Sequence, residues 1–265
     1  MRALYLAVCA IALWPASSTA GDEYFLLMFG SQRIPNQPNH SHSFATFVKA
    51  CRPDGPCTPG APVTLESDTI SWLPETQEVR IGALLREPGH NFELHETICW
   101  ALKDDQRVSL WGPYRIDPEL YGRAMMQISL LNSGTVNYKA LDTGHRPDHV
   151  ANCIHAVGSV SNGWRRRIAS PGWGETASFD LLRSFNPWII DRDHTEQWVA
   201  SALCLDKYPI IYRDWGNPHS NSIIGPGFRV FGGEAQIRPS YGAPSGAREL
   251  IPPPRSPERI PPPRN

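Results

Sequence analysis

Three side chains in this sequence have the types and settings that thiol chemistry needs: Cys153, His42 and Asp68. Asn152, directly before Cys153, is a good helix N-cap and puts the cysteine in the first turn of a helix. Backbone amides and the positive end of the helix dipole favour a thiolate there. A thiolate attacks amide or ester carbonyls when a neighbouring imidazole stabilises the ion pair and then protonates the leaving group. That imidazole needs a third polar group to orient it. His42 opens the strand-like run HSFATFV, and Asp68 lies in the next one, VTLESDTISWLP. A sheet packed against the Cys153 helix would assemble the three, with Glu66 and Thr69 as rivals to Asp68 for the orienting role.

Other motifs compete for attention. A cysteine on an apolar helix is commonly a small packed hydrophobe, which is the plain alternative for Cys153. His40 and His42 would bind a metal if they shared a strand face, but no second cluster of fixed spacing joins them, so no metal is expected. His95-Glu96 lacks the second His that a zinc-protease helix carries four positions on. Trp111, Tyr114 and Trp173 stand in Gly-rich stretches, where aromatics form groove walls for glycan or peptide strands, with core packing as the competing reading. Arg165-Arg166-Arg167 reads as a solvated basic turn.

HSFATFV (42–48) followed by NCIHAVGSV (152–160) resembles the circularly permuted branch of the NlpC-type papain-like superfamily, which includes lecithin:retinol acyltransferase-like proteins and bacterial amidases or peptidases. In that branch a His leads an early strand and a Cys follows at a helix start, often as N-C-x-H. The resemblance implies a papain-like antiparallel sheet packed against helices, Cys153 as nucleophile, His42 as base and Asp68 as the weakest assignment. His155, the second His of N-C-x-H, would support the site rather than do chemistry. No cofactor is implied.

The elements that must position these residues follow from pattern. Glu23 to Gln32 alternates and runs apolar, as a first strand. A helix runs from a cap at Asn91 through FELHETICWALKDD. Asp117-Pro118 opens the clearest helix, which Gly134 stops. Further helices cover Asn152 to Val160 and follow Asp193, the last with Glu196 completing a capping box. VSLWGPYRI and PIIYRDW are strands. Strands and helices without a regular βαβ repeat point to an α+β fold.

Of 265 residues, 41% are hydrophobic and 19% charged, which suits a folded globular chain, and a net charge of −1 gives no electrostatic case for nucleic acid. Residues 1–20 read as a signal peptide, 21–241 as one domain, and 242–265, with IPPPR twice, as a Pro-rich extended tail. No integral span is expected after signal cleavage, and the location is secreted or periplasmic. Five cysteines remain in that form. Cys51 and Cys57 flank a turn and can bridge locally, Cys99 and Cys204 can pair or stay as thiols, and Cys153 is left over.

The expectation is a secreted thiol hydrolase or acyltransferase with a peptide, glycopeptide or acyl substrate, cell-wall peptide foremost. Its rival is a non-catalytic secreted binding module of the same fold that uses Trp-rich loops.

Overall fold

The run FLLMF in β1 (Glu23–Gln32) is apolar on both sides of its alternation, the signature of a strand covered on two faces. In the computed structural model, which describes residues 21–51, 63–142, 149–162, 172–216 and 222–224, β1 is an inner strand of a six-stranded sheet. The signal segment, the Pro-rich tail, Cys57 and the Arg165–Arg167 turn lie outside the described residues. The elements continue as β2 (Ser41–Cys51), β3 (Thr64–Ile70), β4 (Trp72–Pro74), β5 (Glu87–Asn91), α1 (Leu94–Lys103), β6 (Arg107–Arg115), α2 (Pro118–Leu131), β7 (Asn137–Tyr138) and β8 (Val150–Ala151). Then come α3 (Cys153–Asn162), α4 (Glu175–Ser184), α5 (Gln197–Ala202), β9 (Ile210–Arg213) and β10 (Ser222–Ile224).

The large sheet runs β10-β9-β6-β1-β2-β3, antiparallel throughout except for the parallel β6–β9 pair. A small sheet runs β4-β5-β7-β8. The architecture is mixed α+β, rich in antiparallel pairing, with five helices among the described residues.

Side chains of a strand alternate between faces, and here each face has its own core. Leu26, Met28, Ala45, Phe47 and Ile70 point to one face and pack with α2, α3 and α4. Phe25, Leu27, Phe29, Phe44, Val48 and Ala50 point to the other and pack with α1 and α5. Each such fully buried large side chain contributes roughly 1.5–3 kcal/mol of transfer free energy.

Local chemistry sets the helix starts. The Asp117 carboxylate accepts from the Glu119 amide at 2.7 Å and Pro118 takes the first helical position, as the sequence suggests for α2. The cap expected at Asn91 is displaced: Glu93 holds the cap position of α1, while Asn91 accepts from the Ser71 amide and donates to the Thr69 carbonyl. Those bonds stand where the 63–74 run, read as one strand, breaks into β3 and β4 in different sheets. Glu196 holds the cap position of α5 without a side-chain cap bond, so the capping box does not form.

Helix α4 was not expected. It begins after Gly174, whose φ of 57° is left-handed, and its first turn lies directly on β1. A Cβ on Gly30 would stand 2.8 Å from both the Glu175 Cα and the Ser178 Oγ, so only glycine lets the helix approach. Replacing it overpacks the contact, and Gly30→Ala is expected to destabilise the fold by roughly 1–3 kcal/mol, read as a lower urea midpoint. An unchanged midpoint would mean that α4 does not hold this seat.

Candidate functional site

The start of α3 is built as its sequence suggests. Asn152 Oδ1 accepts from the His155 amide at 2.9 Å, and its Nδ2 donates to the Ala140 carbonyl at 3.2 Å. Asp142 accepts from the Asn152 amide through Oδ2 at 2.8 Å and pairs with the His155 Nδ1 through Oδ1. Cys153 stands at the helix tip, only 7% exposed and within the core that α2, α3 and α4 share with the sheet. Burial pushes its thiol up to about 11; the backbone amides of Ser43 and Ile154 favour the thiolate, and the Asp142 carboxylate adds to the upward push. A thiol held there is protonated at neutral pH.

The structure does not bring His42 to this sulfur. Residues 44, 48 and 50 of β2 face α1, whereas residues 45 and 47 face the Cys153 side, so position 42 falls on the α1 face. His42 is fully buried there, stacked on Phe44 and edge-on to the α1 residue Trp100 at 5.7 Å between ring centres. Its Nε2 lies 3.0 Å from Ser71 Oγ, which accepts from Thr97 Oγ1 at 2.7 Å, and its Nδ1 has no hydrogen-bond partner among the described residues. Burial alone pushes the imidazole down to about 3. What β2 offers to Cys153 is the backbone amide of Ser43, whose hydroxyl is turned to α4, donating to the Gly174 carbonyl at 3.3 Å and accepting from Ser178 at 2.8 Å. One step along a strand reverses the face, and that step separates thiol and imidazole.

Asp68 joins neither. It pairs across the sheet with Phe47, near the Tyr121 ring of α2, and its pKa is raised by partial burial and by Glu66. Trp111 and Tyr114, expected as groove walls, are each 1% exposed and belong to the core. Trp173 is half-buried against the same core, with its carbonyl accepting from Asn36 at 3.2 Å. These aromatics serve packing: a bulge in the β1–β6 pairing shifts the register between Trp111 and Tyr114 and turns both into the same core. Cys99 and Cys204 are free thiols, the first exposed.

On the α1 side an open cleft of about 700 Å³ lies between α1, the 3-10 turn Pro38–His40 and residues 77–80. Asp104 closes one end. Its Oδ1 accepts from Arg33 at 2.5 Å, and its Oδ2 accepts from His40 Nδ1 at 2.7 Å and from Gln106 at 2.9 Å. Burial opposes ionisation of that carboxyl, but the Gln106 and His40 hydrogen bonds and the nearby Arg33 charge hold its pKa below the ordinary value. His40 is thus bound to Asp104 and does not share a strand face with His42. The cleft went unread because its walls come from three segments, none with a motif. The one available signal was the repeat Glu96, Cys99, Trp100, Lys103 on a single helix face.

Among the described residues no group of three or more His, Cys, Asp or Glu is arranged to hold a metal, and no helix is long and apolar enough to cross a membrane. Comparison with protein-family models, with curated proteins and with solved structures finds no match for this chain.

The buried His42 leaves a pH signature. Its pKa falls from the ordinary 6.5 to about 3 on folding, so between those values the unfolded chain binds more protons and stability rises with pH. The contribution is fully present above 6.5 and is lost as pH falls toward about 3, by up to roughly 1.4 kcal/mol per unit. Urea unfolding at pH 7, 6 and 5 should show that slope, and His42→Gln should flatten it. An equal slope in the variant would place the titration elsewhere.

Proposed function

We propose that this chain is a secreted or periplasmic binding module on a papain-like frame, non-catalytic at Cys153, with its ligand held in the cleft beside α1. Support for the frame comes from a helix that starts at a capped cysteine and lies across an antiparallel strand. The observation that carries the non-catalytic reading is the placement of His42 on the α1 face of the sheet, opposite the sulfur. What β2 brings to the sulfur is the Ser43 backbone amide, where a thiol hydrolase needs an imidazole. The thiol beside it is buried and protonated, the state of an inert cysteine.

The cleft has what a small-ligand site needs: sufficient volume, one aromatic wall in Trp100 and several polar groups. The rival reading, acyl-enzyme chemistry on an amide or ester, draws on the amides of Ser43 and Ile154 that converge on the sulfur as an oxyanion site would.

Alkylation of the native full chain with iodoacetamide, mapped by peptide mass, separates the two. Cys99 should react readily and Cys153 only after unfolding. Cys153→Ala should leave retention of members of a tripeptide library unchanged, while Trp100→Ala or a bulky adduct on Cys99 should weaken it at least about five-fold. Native Cys153 that alkylates faster than Cys99, together with an amidase or esterase activity lost in Cys153→Ala, would overturn the proposal.

A further inference from the structure

The charged groups around the cleft divide into satisfied and unsatisfied. Glu78 and Arg80 pair with each other at 2.8 Å. Asp104 is paired with Arg33 and hydrogen-bonded to His40. Glu96 and Lys103 have no ion-pair partner among the described residues, and both are exposed on the cleft face of α1. They are seven positions apart, two helical turns, so their stems are separated by about 10.5 Å along the axis. Between them on the same face lie Cys99, exposed, and Trp100, half-buried and backed by the His42 ring.

The wall therefore reads, from the amino end of α1 to its carboxyl end, as an open anion, an aromatic surface and an open cation. A complementary ligand carries an amine, an apolar middle and a carboxylate in the same order. An extended peptide advances about 3.3–3.6 Å per residue, so roughly three residues span the two charges. We infer that the cleft takes a short zwitterionic peptide of about three residues, its free amino end at Glu96, its free carboxylate at Lys103 and an apolar central side chain against Trp100. This inference rests on the cleft being the binding site, and it adds the ligand's charge, length and direction.

The probe is alanyl-phenylalanyl-alanine, compared with the same peptide N-acetylated and C-amidated, by titration calorimetry and by protection of Cys99 from iodoacetamide in the full chain. The free peptide should bind, slow Cys99 alkylation and lose affinity roughly three- to ten-fold in Glu96→Gln and in Lys103→Gln, the range of a single exposed charge contact. The Glu96→Gln loss should vanish for the N-acetylated peptide, and the Lys103→Gln loss for the C-amidated one. A helix stability role alone predicts lower melting temperatures in both variants with unchanged peptide affinity, and that result would overturn the inference. Equal binding and equal Cys99 protection by the doubly blocked peptide would also overturn it while leaving the cleft as a binding site. If neither peptide binds but library members are still retained through Trp100, the inference falls and the proposed function stands. If nothing is retained at all, both fall.

Discussion

The alternation of β2 governs the rest of this molecule. The strand is covered by helices on both sides, so every position on it is committed to one of two cores, and no side chain can serve both. Phe44 and Val48 bind the sheet to α1, Ala45 and Phe47 bind it to the opposite helices, and shifting the pairing by one residue would turn both sets the wrong way. The strand therefore has no freedom to present His42 to Cys153. Its imidazole instead fills space between Phe44 and Trp100, neutral and hydrogen-bonded to Ser71.

That constraint also divides the labour between the two faces. The α3 side is closely packed, with Cys153, Tyr138 and Trp72 in one apolar core and the Trp72 indole N–H without a partner among the described residues. Burial of this kind raises a thiol's pKa and holds a fold. The α1 side has its apolar residues turned inward and an exposed edge of charge and aromatic surface turned out. The sheet lies between the two sides and carries a separate core on each face.

Local signals in the sequence carried the elements well. Asp117-Pro118 placed the start of α2, Asn152 placed the start of α3, and the apolar run at Glu23 placed the central strand. They did not carry which face a residue takes. HSFATFV reads equally well with His42 on either side, because both sides of β2 are apolar and the alternation leaves no polar face to mark it. For the same reason Trp111 and Tyr114 read as loop aromatics, although they are inner positions of β6. Helix α4 lacked a cap signal, since it opens from a left-handed glycine rather than an oxygen-bearing side chain. The cleft is a product of tertiary folding, joining residues near 40, 78 and 100 that have no pattern in common.

The carboxylate that begins α4 has a consequence for the order of assembly. Glu175 accepts from Arg107 at 2.8 and 2.5 Å and from Ser109 at 2.6 Å, and Arg213 reaches the same oxygens at 3.2 and 3.3 Å. Arg107 and Ser109 precede Glu175 in the chain, whereas Arg213 follows it by almost forty positions on β9. During synthesis from the amino end, β1, β2, β3 and β6 can pair and Glu175 can be bound by Arg107 and Ser109 before Arg213 is made, and Arg213 then adds a second guanidinium to the same carboxylate as β9 docks alongside β6. The one parallel strand of the large sheet thus docks onto a carboxylate that earlier-made residues already hold in place, tying the last part of the sheet to the first turn of α4.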